Sequence, residues 1–242
     1  MADESLDVAS NLGRVKARIT AATSRAGRDP AEVRLVAVSK GKSPQAIRRA
    51  YVAGLRDFGE NRVEEVLPKL EALKDLQGIC WHMIGHIQSR KARLIVPAFA
   101  WVHSVDRIRI ARLLDREAGE RGQRLPVLLE CNVSGEATKD GWHLADRGAW
   151  EALASEIAQV ADLPHLEVRG LMTMAPWSAD PETARPVFRQ LRALRDHLSG
   201  IVPGQWDELS MGMTDDFEVA VEEGATIVRI GRAIFGPRGG EA

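Results

Sequence analysis

The sequence has few of the residues that mark a disulfide framework, a secreted protein or a membrane segment. Its 242 residues include two cysteines, Cys80 and Cys131, which lie in apolar segments without C-x-x-C spacing. We therefore expect buried thiols in a reducing compartment, with one disulfide as the alternative. There is no signal-peptide pattern and no apolar run long enough to span a bilayer, so we expect a cytoplasmic protein that does not enter a membrane.

The charge balance and the glycine pattern argue against two further classes. The 33 basic and 34 acidic residues give a net charge of −1 without a long basic block, so we expect neither nucleic acid nor an acidic membrane as a partner. The GKS triplet that begins at Gly41 is not a P-loop, because Val36 stands where that loop needs a glycine. With 45% hydrophobic residues and no evident apolar stripe on the surface, we expect a globular monomer.

Short apolar runs alternate with amphipathic segments along almost the whole chain. From about Leu6 to Ala26, apolar residues recur every three or four positions, which predicts a helix. This α/β alternation predicts a single-domain (β/α)8 TIM barrel over residues 1–242, with residues 1–28 forming an extra N-terminal helix outside the barrel. A doubly wound open sheet is the alternative. The eight strand candidates are RLVAVS, LRDFG, WHMIG, AWVHSV, LPVLLECNVS, VRGLMTM, ELSMGM and TIVRIG.

Three local signals refine this prediction. Ser43 and Pro44 are typical of a helix N-cap and a first helical residue. Pro68 falls inside the helix after the second strand, where it should kink or split that helix. Thr214, followed by two acids, is expected to begin a helix over residues 215–223.

Polar side chains gather where the predicted strands end, which is the face of a TIM barrel that carries active sites. This ring predicts the position of the functional site, and it contains one lysine. In chain order its members are Ser39, Lys40, Glu60, Asn61, His86, Asn132, Met172, Thr173, Met174, Ser210, Met211, Gly212, Met213, Thr214, Arg229, Ile230 and Gly231.

Lys40 shares the parity of Val36 and Val38 in the first predicted strand. If those valines face the barrel interior, Lys40 lies at the upper rim, where partial dehydration favours a neutral, nucleophilic amine. Lys42 lies beyond the strand end and is expected to be solvated. The alternative for Lys40 is that it also extends into water.

Arg229 interrupts the apolar run ATIVRIG, where a guanidinium inside a barrel is costly unless acceptors surround it. Parity places it with Ile227 and Gly231. Arg229 therefore either faces the site from inside the barrel or reaches a carboxylate near the strand end.

His82 and His86 are four residues apart, a spacing that brings two side chains together on a helix. Because WHMIG is a predicted strand, however, the two would lie about 13 Å apart at ~3.3 Å per residue. We therefore expect no shared metal ion, with His82 in the core and His86 at the site.

Two segments are candidate phosphate positions, because the loops after strands seven and eight often bind phosphate in this fold. A helix that begins near Thr214 would direct its N–H groups toward an anion. Asp215 and Asp216 would repel the anion unless their side chains turn away. Gly231 permits close approach of backbone N–H groups.

Seven ordered segments add a family resemblance: VAVSK, FGEN, WHMIGHIQ, NVSGE, GLMTM, LSMGMTDD and IVRIGRAIFG. Over about residues 35–236 they resemble the pyridoxal-phosphate homeostasis proteins, single-domain relatives of the alanine racemase barrel. The resemblance implies pyridoxal 5′-phosphate (PLP) as the cofactor, bound as a Schiff base on Lys40, with Arg229 at the pyridine nitrogen. It also implies that Asn61 and Met174 line the ring and that the segments after strands seven and eight hold the phosphate. The expected cofactor site comprises Lys40, Asn61, His86, Asn132, Met174, Ser210, Met211, Gly212, Thr214, Arg229 and Gly231.

The sequence departs from the family pattern at three places. Thr214 stands where serine is common, VSKGKS replaces VSKTKP, and Arg90 replaces an asparagine of a QSNK segment. The hydroxyl and the Schiff-base lysine are retained, so the cofactor prediction stands. The contact that the asparagine makes is left open.

Three functions fit a reactive lysine in this fold. They are a PLP carrier that stores, buffers or delivers the cofactor to apo PLP-enzymes, an amino-acid racemase, and a Schiff-base aldolase without cofactor. Arg229 would keep the pyridine nitrogen unprotonated and so weaken PLP as an electron sink. A racemase needs acid–base groups on both faces of its substrate, and alanine racemases supply one from a tyrosine of an additional C-terminal domain. The only tyrosine here, Tyr51, belongs to the first barrel helix, so we expect a carrier with little or no catalysis. A bound chromophore would exclude the aldolase.

Overall fold

Eight parallel strands form a closed ring in the computed structural model, which describes residues 7–136 and 138–237. The first barrel strand pairs with both the second and the last, and the fourth pairs with the fifth, which closes the sheet. The predicted TIM barrel is therefore confirmed and the open sheet is wrong, whereas the prediction that residues 1–242 form one domain stays a prediction. The barrel strands are β1 (Arg34–Val38), β2 (Asp57–Glu60), β3 (Cys80–Met83), β4 (Trp101–Val105), β5 (Leu125–Asn132), β7 (Leu166–Met172), β8 (Glu208–Ser210) and β9 (Ile227–Ile230), and the short β6 (Trp142–His143) pairs with the end of β5.

Helices cover the outside of the barrel. The α-helices are α1 (Val8–Arg25), α2 (Pro44–Val52), α3 (Val63–Ala72), α4 (Ala92–Ile95), α5 (Ile108–Gly119), α6 (Gly148–Ala161), α7 (Arg185–Ile201), α8 (Phe217–Glu222) and α9 (Arg232–Phe235). Short 3₁₀ turns occupy Pro30–Glu32, Ser89–Lys91 and Pro181–Ala184. Each segment that follows a barrel strand therefore returns the chain over the outer face, as parallel pairing requires.

The extra N-terminal helix forms because one face of α1 is apolar. Leu12, Val15 and Ile19 are all buried on that face, and the helix packs against α8 and α9. Each such side chain contributes about 1.5–3 kcal/mol when fully buried. Asp7 caps the helix by accepting a hydrogen bond from the Ser10 N–H, so this helix is confirmed at nearly its predicted bounds.

Three of the local predictions had different outcomes. Ser43 does cap α2, accepting a hydrogen bond from the Ala46 N–H. Pro68 does not split α3, which continues across it, because one missing N–H is tolerated where the helix packs on the barrel. The helix expected after Thr214 begins only at Phe217, since the preceding residues form a turn closed by Asp216, so that start was wrong.

Alternate residues of the strands fill the barrel interior. Val36, Leu128, Met172 and Ile227 form a fully buried apolar cluster there, against which Trp101 packs. The positions of these four residues show which alternate residues of β1, β5, β7 and β9 face the barrel interior. Later residues of each strand that lie an even number of positions away face the same side.

Two expectations about thiols and membranes can be compared with the structure. Cys80 and Cys131 are both free, so the disulfide alternative is wrong, and burial raises the pKa of both thiols, that of Cys80 to about 11. Within the two described ranges, every helix is too short or too polar to cross a bilayer.

Candidate functional site

Lys40 lies at the C-terminal mouth of the barrel, two residues beyond the end of β1. Val36 belongs to the interior cluster, and Val38 and Lys40 follow it on the same face. Both line a cleft of about 460 Å³, and Lys40 itself is half-buried. The strand parity read from the sequence therefore places this amine correctly at the rim.

The cleft is bounded by the first and the last two barrel strands. Of the predicted site residues, Thr214, Arg229 and Gly231 line it together with Lys40. Their joint presence supplies an amine, a guanidinium, a hydroxyl and the first turn of α9 in one cavity. The remaining lining residues are Val38, Lys42, Met213, Asp215, Arg232, Gly236 and Pro237.

Arg229 is the buried cation of this cleft, with 4% of its surface exposed. Its Nη1 donates to Ser210 Oγ at 2.5 Å and its Nη2 to the Thr173 carbonyl at 2.9 Å. Burial lowers the pKa of Arg229 to about 10, while Glu130 and Asp216 oppose that shift, so the group is cationic at neutral pH. The guanidinium therefore faces the site from inside the barrel, and the alternative of a strand-end ion pair is wrong.

Both acids of the loop after β8 are engaged in local contacts. Asp216 Oδ1 turns back to accept the Met213 N–H at 2.6 Å, and burial raises the pKa of that carboxyl. Asp215 pairs with Arg232 Nη2 at 2.5 Å. Gly212, at φ +93°, makes the bend before this loop and leaves no room for a Cβ. The repulsion expected from the two carboxylates is thus reduced by local contacts.

The first turn of α9 forms the other side of the cleft. Its first hydrogen bonds run from Ile234 and Phe235 to the Gly231 carbonyl. The N–H groups that precede them in the turn have no acceptor within the helix, as at every helix start. Beside them, Arg232 adds a second guanidinium to the cleft lining.

Lys42 was expected to be solvated, but its amine is hydrogen-bonded to the protein instead. Its Nζ donates to the carbonyls of Phe235 and Pro237 at 3.0 and 2.7 Å, and it also lines the cleft. Lys42 belongs to the loop that follows Lys40, and its long side chain reaches the C-terminal segment. These hydrogen bonds therefore hold that segment against the loop.

A buried ion pair between Glu60 and Lys69 supports the end of β1. Ser39 has the opposite parity to Lys40, and its Oγ donates to Glu60 Oε1 at 2.6 Å. Lys69 of α3 donates to the same oxygen at 2.5 Å and to the Ser39 carbonyl at 2.8 Å. Burial raises the pKa of Glu60, although the hydrogen bonds from Lys69 and Ser39 oppose the shift. Lys69 was missed by sequence reasoning, because a lysine on a surface helix is ordinarily solvated.

Asn61 and His86 line a neighbouring pocket of about 240 Å³ rather than the Lys40 cleft. His86 Nδ1 lies 3.3 Å from carboxylate oxygens of both Asp106 and Asp140. His82 is fully buried in β3, so its expected core position is confirmed.

Arg90, the residue that departs from the family pattern, is exposed in the 3₁₀ turn after β3. Its Nε and Nη2 donate to Gln88 Oε1 at 3.3 and 3.2 Å. Among the described contacts, Arg90 thus stabilises its own turn.

Asn132 and Met174 lie on two further rim segments. The Asn132 amide donates to the Glu136 carbonyl at 2.7 Å, and its oxygen accepts the Gly135 N–H at 3.1 Å. Met174 is partly exposed, and its carbonyl accepts a hydrogen bond from Lys139. In this structure Asn132 therefore organises its own loop.

Ser210 and Met211 are buried at the end of β8 and do not line the cleft themselves. Ser210 Oγ contacts Arg229 and, at 2.9 Å, His103 Nδ1. Met211 donates its N–H to the Ile227 carbonyl at 3.1 Å. His103 was missed, although a histidine inside the predicted strand AWVHSV was an available signal.

Glu130 is a second residue that sequence reasoning missed. Burial raises its pKa to about 7, with further contributions from Asp106 and Asp140, while Arg229 lowers it. The signal was an acid inside the run LPVLLECNVS, at the parity of Leu128. A group that titrates near neutrality thus lies within electrostatic reach of the buried guanidinium.

Comparisons with known proteins agree with this arrangement. Residues 10–239 match the family described as alanine racemase, N-terminal domain. The chain is 48% identical to a pyridoxal phosphate homeostasis protein of Pseudomonas aeruginosa over 96% of each sequence. It is 42% identical to that of Escherichia coli K12, over 96% of this chain and 97% of the relative.

Solved structures give the same result. PipY of Synechococcus elongatus, determined with PLP bound, is 38% identical, with a TM-score of 0.83 over 95% of this chain and 100% of that one. Alanine racemase from Streptomyces coelicolor is 19% identical, with a TM-score of 0.71 over 93% of this chain and 58% of that one, which shows a shared fold. The chain therefore belongs to the pyridoxal phosphate homeostasis protein family, within the wider family of alanine racemase N-terminal domains.

Proposed function

We propose that this protein binds PLP as a Schiff base on Lys40 and takes part in PLP homeostasis by storing, buffering or delivering the cofactor. One observation carries the proposal: Lys40, Arg229, Thr214 and the first turn of α9 surround a single cleft. Its volume of about 460 Å³ lies in the range typical of sites for small molecules. The PLP bound to PipY, a relative over the whole chain, supports the same conclusion.

The donor set fits the chemical groups of PLP. A lysine amine is the residue that binds an aldehyde covalently, and Lys40 lines the cleft. Thr214, Arg232 and the N–H groups after Gly231 are donors suited to a phosphate. Arg229 is a donor for the ring nitrogen. Ser210, Met211 and Gly212 shape this wall, and we assign Asn61, His86, Asn132 and Met174 to the adjoining rim.

Arg229 argues for carriage rather than catalysis. When PLP is bound, it can supply an electron sink, but only with a protonated ring nitrogen does that sink reach full strength. Arg229 is a cation that donates hydrogen bonds and cannot supply that proton. The only tyrosine, Tyr51, donates to the Gln77 carbonyl on the outer surface and so is unsuited to shuttle protons in the cleft.

Loading the purified protein with PLP tests the proposal. We expect a stoichiometric visible absorption band that survives gel filtration in the wild type and in Lys42→Ala but is lost in Lys40→Ala. Circular dichroism should show that Lys40→Ala remains folded. An intact band in Lys40→Ala, or its loss in Lys42→Ala alone, would refute the assignment.

The racemase is the second candidate, supported by the match to the alanine racemase N-terminal domain. Deuterium exchange at the α-carbon of alanine in heavy water separates the two. We expect exchange no faster than with free PLP. Rapid exchange that Lys40→Ala abolishes would establish the racemase instead.

We further propose that the protein acts as a cytoplasmic monomer and that its recipients are apo PLP-enzymes. The loaded protein, mixed with an apo-enzyme in the presence of a phosphatase that destroys free PLP, should restore activity faster than an equal amount of free PLP. Equal rates would mean that the protein only buffers the cofactor. Sedimentation would test the oligomeric state.

A further inference from the structure

A continuous chain of side-chain hydrogen bonds crosses the barrel interior and ends at Arg229. At the N-terminal face, Asp57 Oδ1 lies 2.9 Å from His82 Nε2. His82 Nδ1 lies 3.0 Å from His103 Nε2, and His103 Nδ1 lies 2.9 Å from Ser210 Oγ. Arg229 Nη1 donates to the same Ser210 oxygen at 2.5 Å. The chain thus joins β2, β3, β4, β8 and β9.

Burial favours the neutral form of both histidines of this chain. Each is fully buried, and burial lowers the pKa of both imidazoles. The Asp57 carboxylate opposes that shift at His82, whereas the Arg229 charge adds to it at His103. A neutral imidazole has one N–H donor and one acceptor nitrogen, so each ring must donate at one end and accept at the other.

This requirement fixes the direction of every hydrogen bond. The Asp57 carboxylate can only accept, so His82 donates through Nε2 and accepts through Nδ1. His103 must then donate through Nε2 to His82, which leaves its Nδ1 as an acceptor for the Ser210 hydroxyl. With its proton directed to His103, Ser210 presents a lone pair to Arg229. Each hydrogen bond of the chain then has one donor and one acceptor, from the cation at one end to the anion at the other.

We propose that Asp57, His82, His103 and Ser210 are positioning residues that orient the Arg229 guanidinium toward the cofactor ring. This inference rests on the proposed function. Ser210 holds Nη1 while the Thr173 carbonyl holds Nη2 at 2.9 Å, so two points fix the plane of the group.

The polar chain is an unusual way to fill a barrel. Branched apolar residues dominate the interior of TIM barrels, as in the Val36, Leu128, Met172 and Ile227 cluster here. Burying two imidazoles costs free energy that an apolar pair would avoid unless every polar atom is matched. A role toward Arg229 explains why the chain extends without interruption from the partly exposed Asp57, at 28% side-chain exposure, to the cleft.

The hydrogen-bond direction can be measured in the unmodified protein. Ring ¹⁵N spectra of histidine-labelled, PLP-loaded protein should show His82 and His103 as neutral Nε2–H tautomers. His82→Phe and His103→Phe would assign the two signals. An Nδ1–H tautomer or an imidazolium at His103 would overturn the inference.

The effect on the cofactor needs variants at the far end of the chain. Asp57→Ala removes the terminal acceptor, and we expect about tenfold weaker PLP binding and a shifted absorption maximum, the loss that one hydrogen bond to a charged group produces. Asp57→Asn retains an acceptor and should restore both values. Asp75→Ala is the matched control, because Asp75 is exposed and pairs with Arg48 outside the chain.

Two failures can be told apart. If wild-type protein takes up no PLP on Lys40, the proposed function fails. If it does, and Asp57→Ala matches Asp75→Ala, or Asp57→Asn behaves like Asp57→Ala, the positioning role fails while the function stands. Should Asp57→Ala not fold, the tautomers of the wild type decide.

Discussion

Replacing Lys69 by methionine should destabilise the protein strongly, because it leaves the buried carboxylate of Glu60 without its cationic partner. Glu60 is completely buried, and Lys69 is the one cation in hydrogen-bond contact with it among the described residues. Breaking a buried pair from one side costs about 3–5 kcal/mol. The Ser39 carbonyl also loses the Lys69 amine, although it still accepts the Lys42 N–H at 3.0 Å. At 2–4 °C per kcal/mol for a chain of this size, we expect the melting temperature to fall by roughly 12 °C.

The sign of the pH dependence follows from the raised pKa of Glu60. A carboxyl whose pKa is higher in the folded state destabilises the fold when ionised, so stability is lost as pH rises from the unfolded value of about 4.5 through the folded one. Without Lys69 that pKa rises further. The Lys69→Met deficit should therefore be small near pH 4.5 and should grow as the pH rises.

Thermal and urea denaturation at several pH values measure this deficit. Lys74→Met is the matched control, because Lys74 is exposed and pairs with an exposed Glu71, and it should leave stability nearly unchanged. Adding Glu60→Gln to Lys69→Met removes the stranded charge and should recover most of the loss. A deficit equal to that of Lys74→Met, or one independent of pH, would refute the reasoning.

Two further predictions concern Gly212, before the loop after β8, and the buried carboxyl of Glu130. Gly212→Ala should destabilise the protein by about 2 kcal/mol or more, since φ is +93° and a Cβ would lie 2.5 Å from that of Ala220; Gly13→Ala, in an open helical position, should instead raise the melting temperature slightly. Glu130→Gln should stabilise the protein by about 3 kcal/mol at pH 8 and hardly at all at pH 4, because the wild type loses stability as Glu130 ionises between about 4.5 and about 7. Unchanged stability in Gly212→Ala, or in Glu130→Gln at pH 8, measured by thermal denaturation, would contradict the corresponding argument.

The barrel and its reactive rim were predictable because both follow from local periodicity. A strand has a period of two, so the parity of Val36 placed Lys40, and that of Ile227 placed Arg229. Parity is lost in the loops that continue more than two residues past a strand end. The turn around Asp216 therefore escaped prediction, as did the attachment of Lys42 to the C-terminal segment.

The contacts that support the rim could not be predicted from spacing, since they join residues from different elements. Lys69 reaches Glu60 from α3 on the outside of the barrel, where a lysine is ordinarily solvated, and the sequence marks neither residue as paired. His103 and Glu130 did carry a signal, as polar residues in apolar strands. Their partners, however, come from strands far away in the sequence, which only the closed barrel brings together.

Borohydride reduction of the PLP-loaded protein, followed by peptide mass mapping, tests the central claim most directly. We predict a single phosphopyridoxyl adduct on Lys40, because this amine lines the cleft with the donors for the ring and the phosphate. An adduct on Lys42 or Lys139 instead, or no adduct at all, would contradict the account.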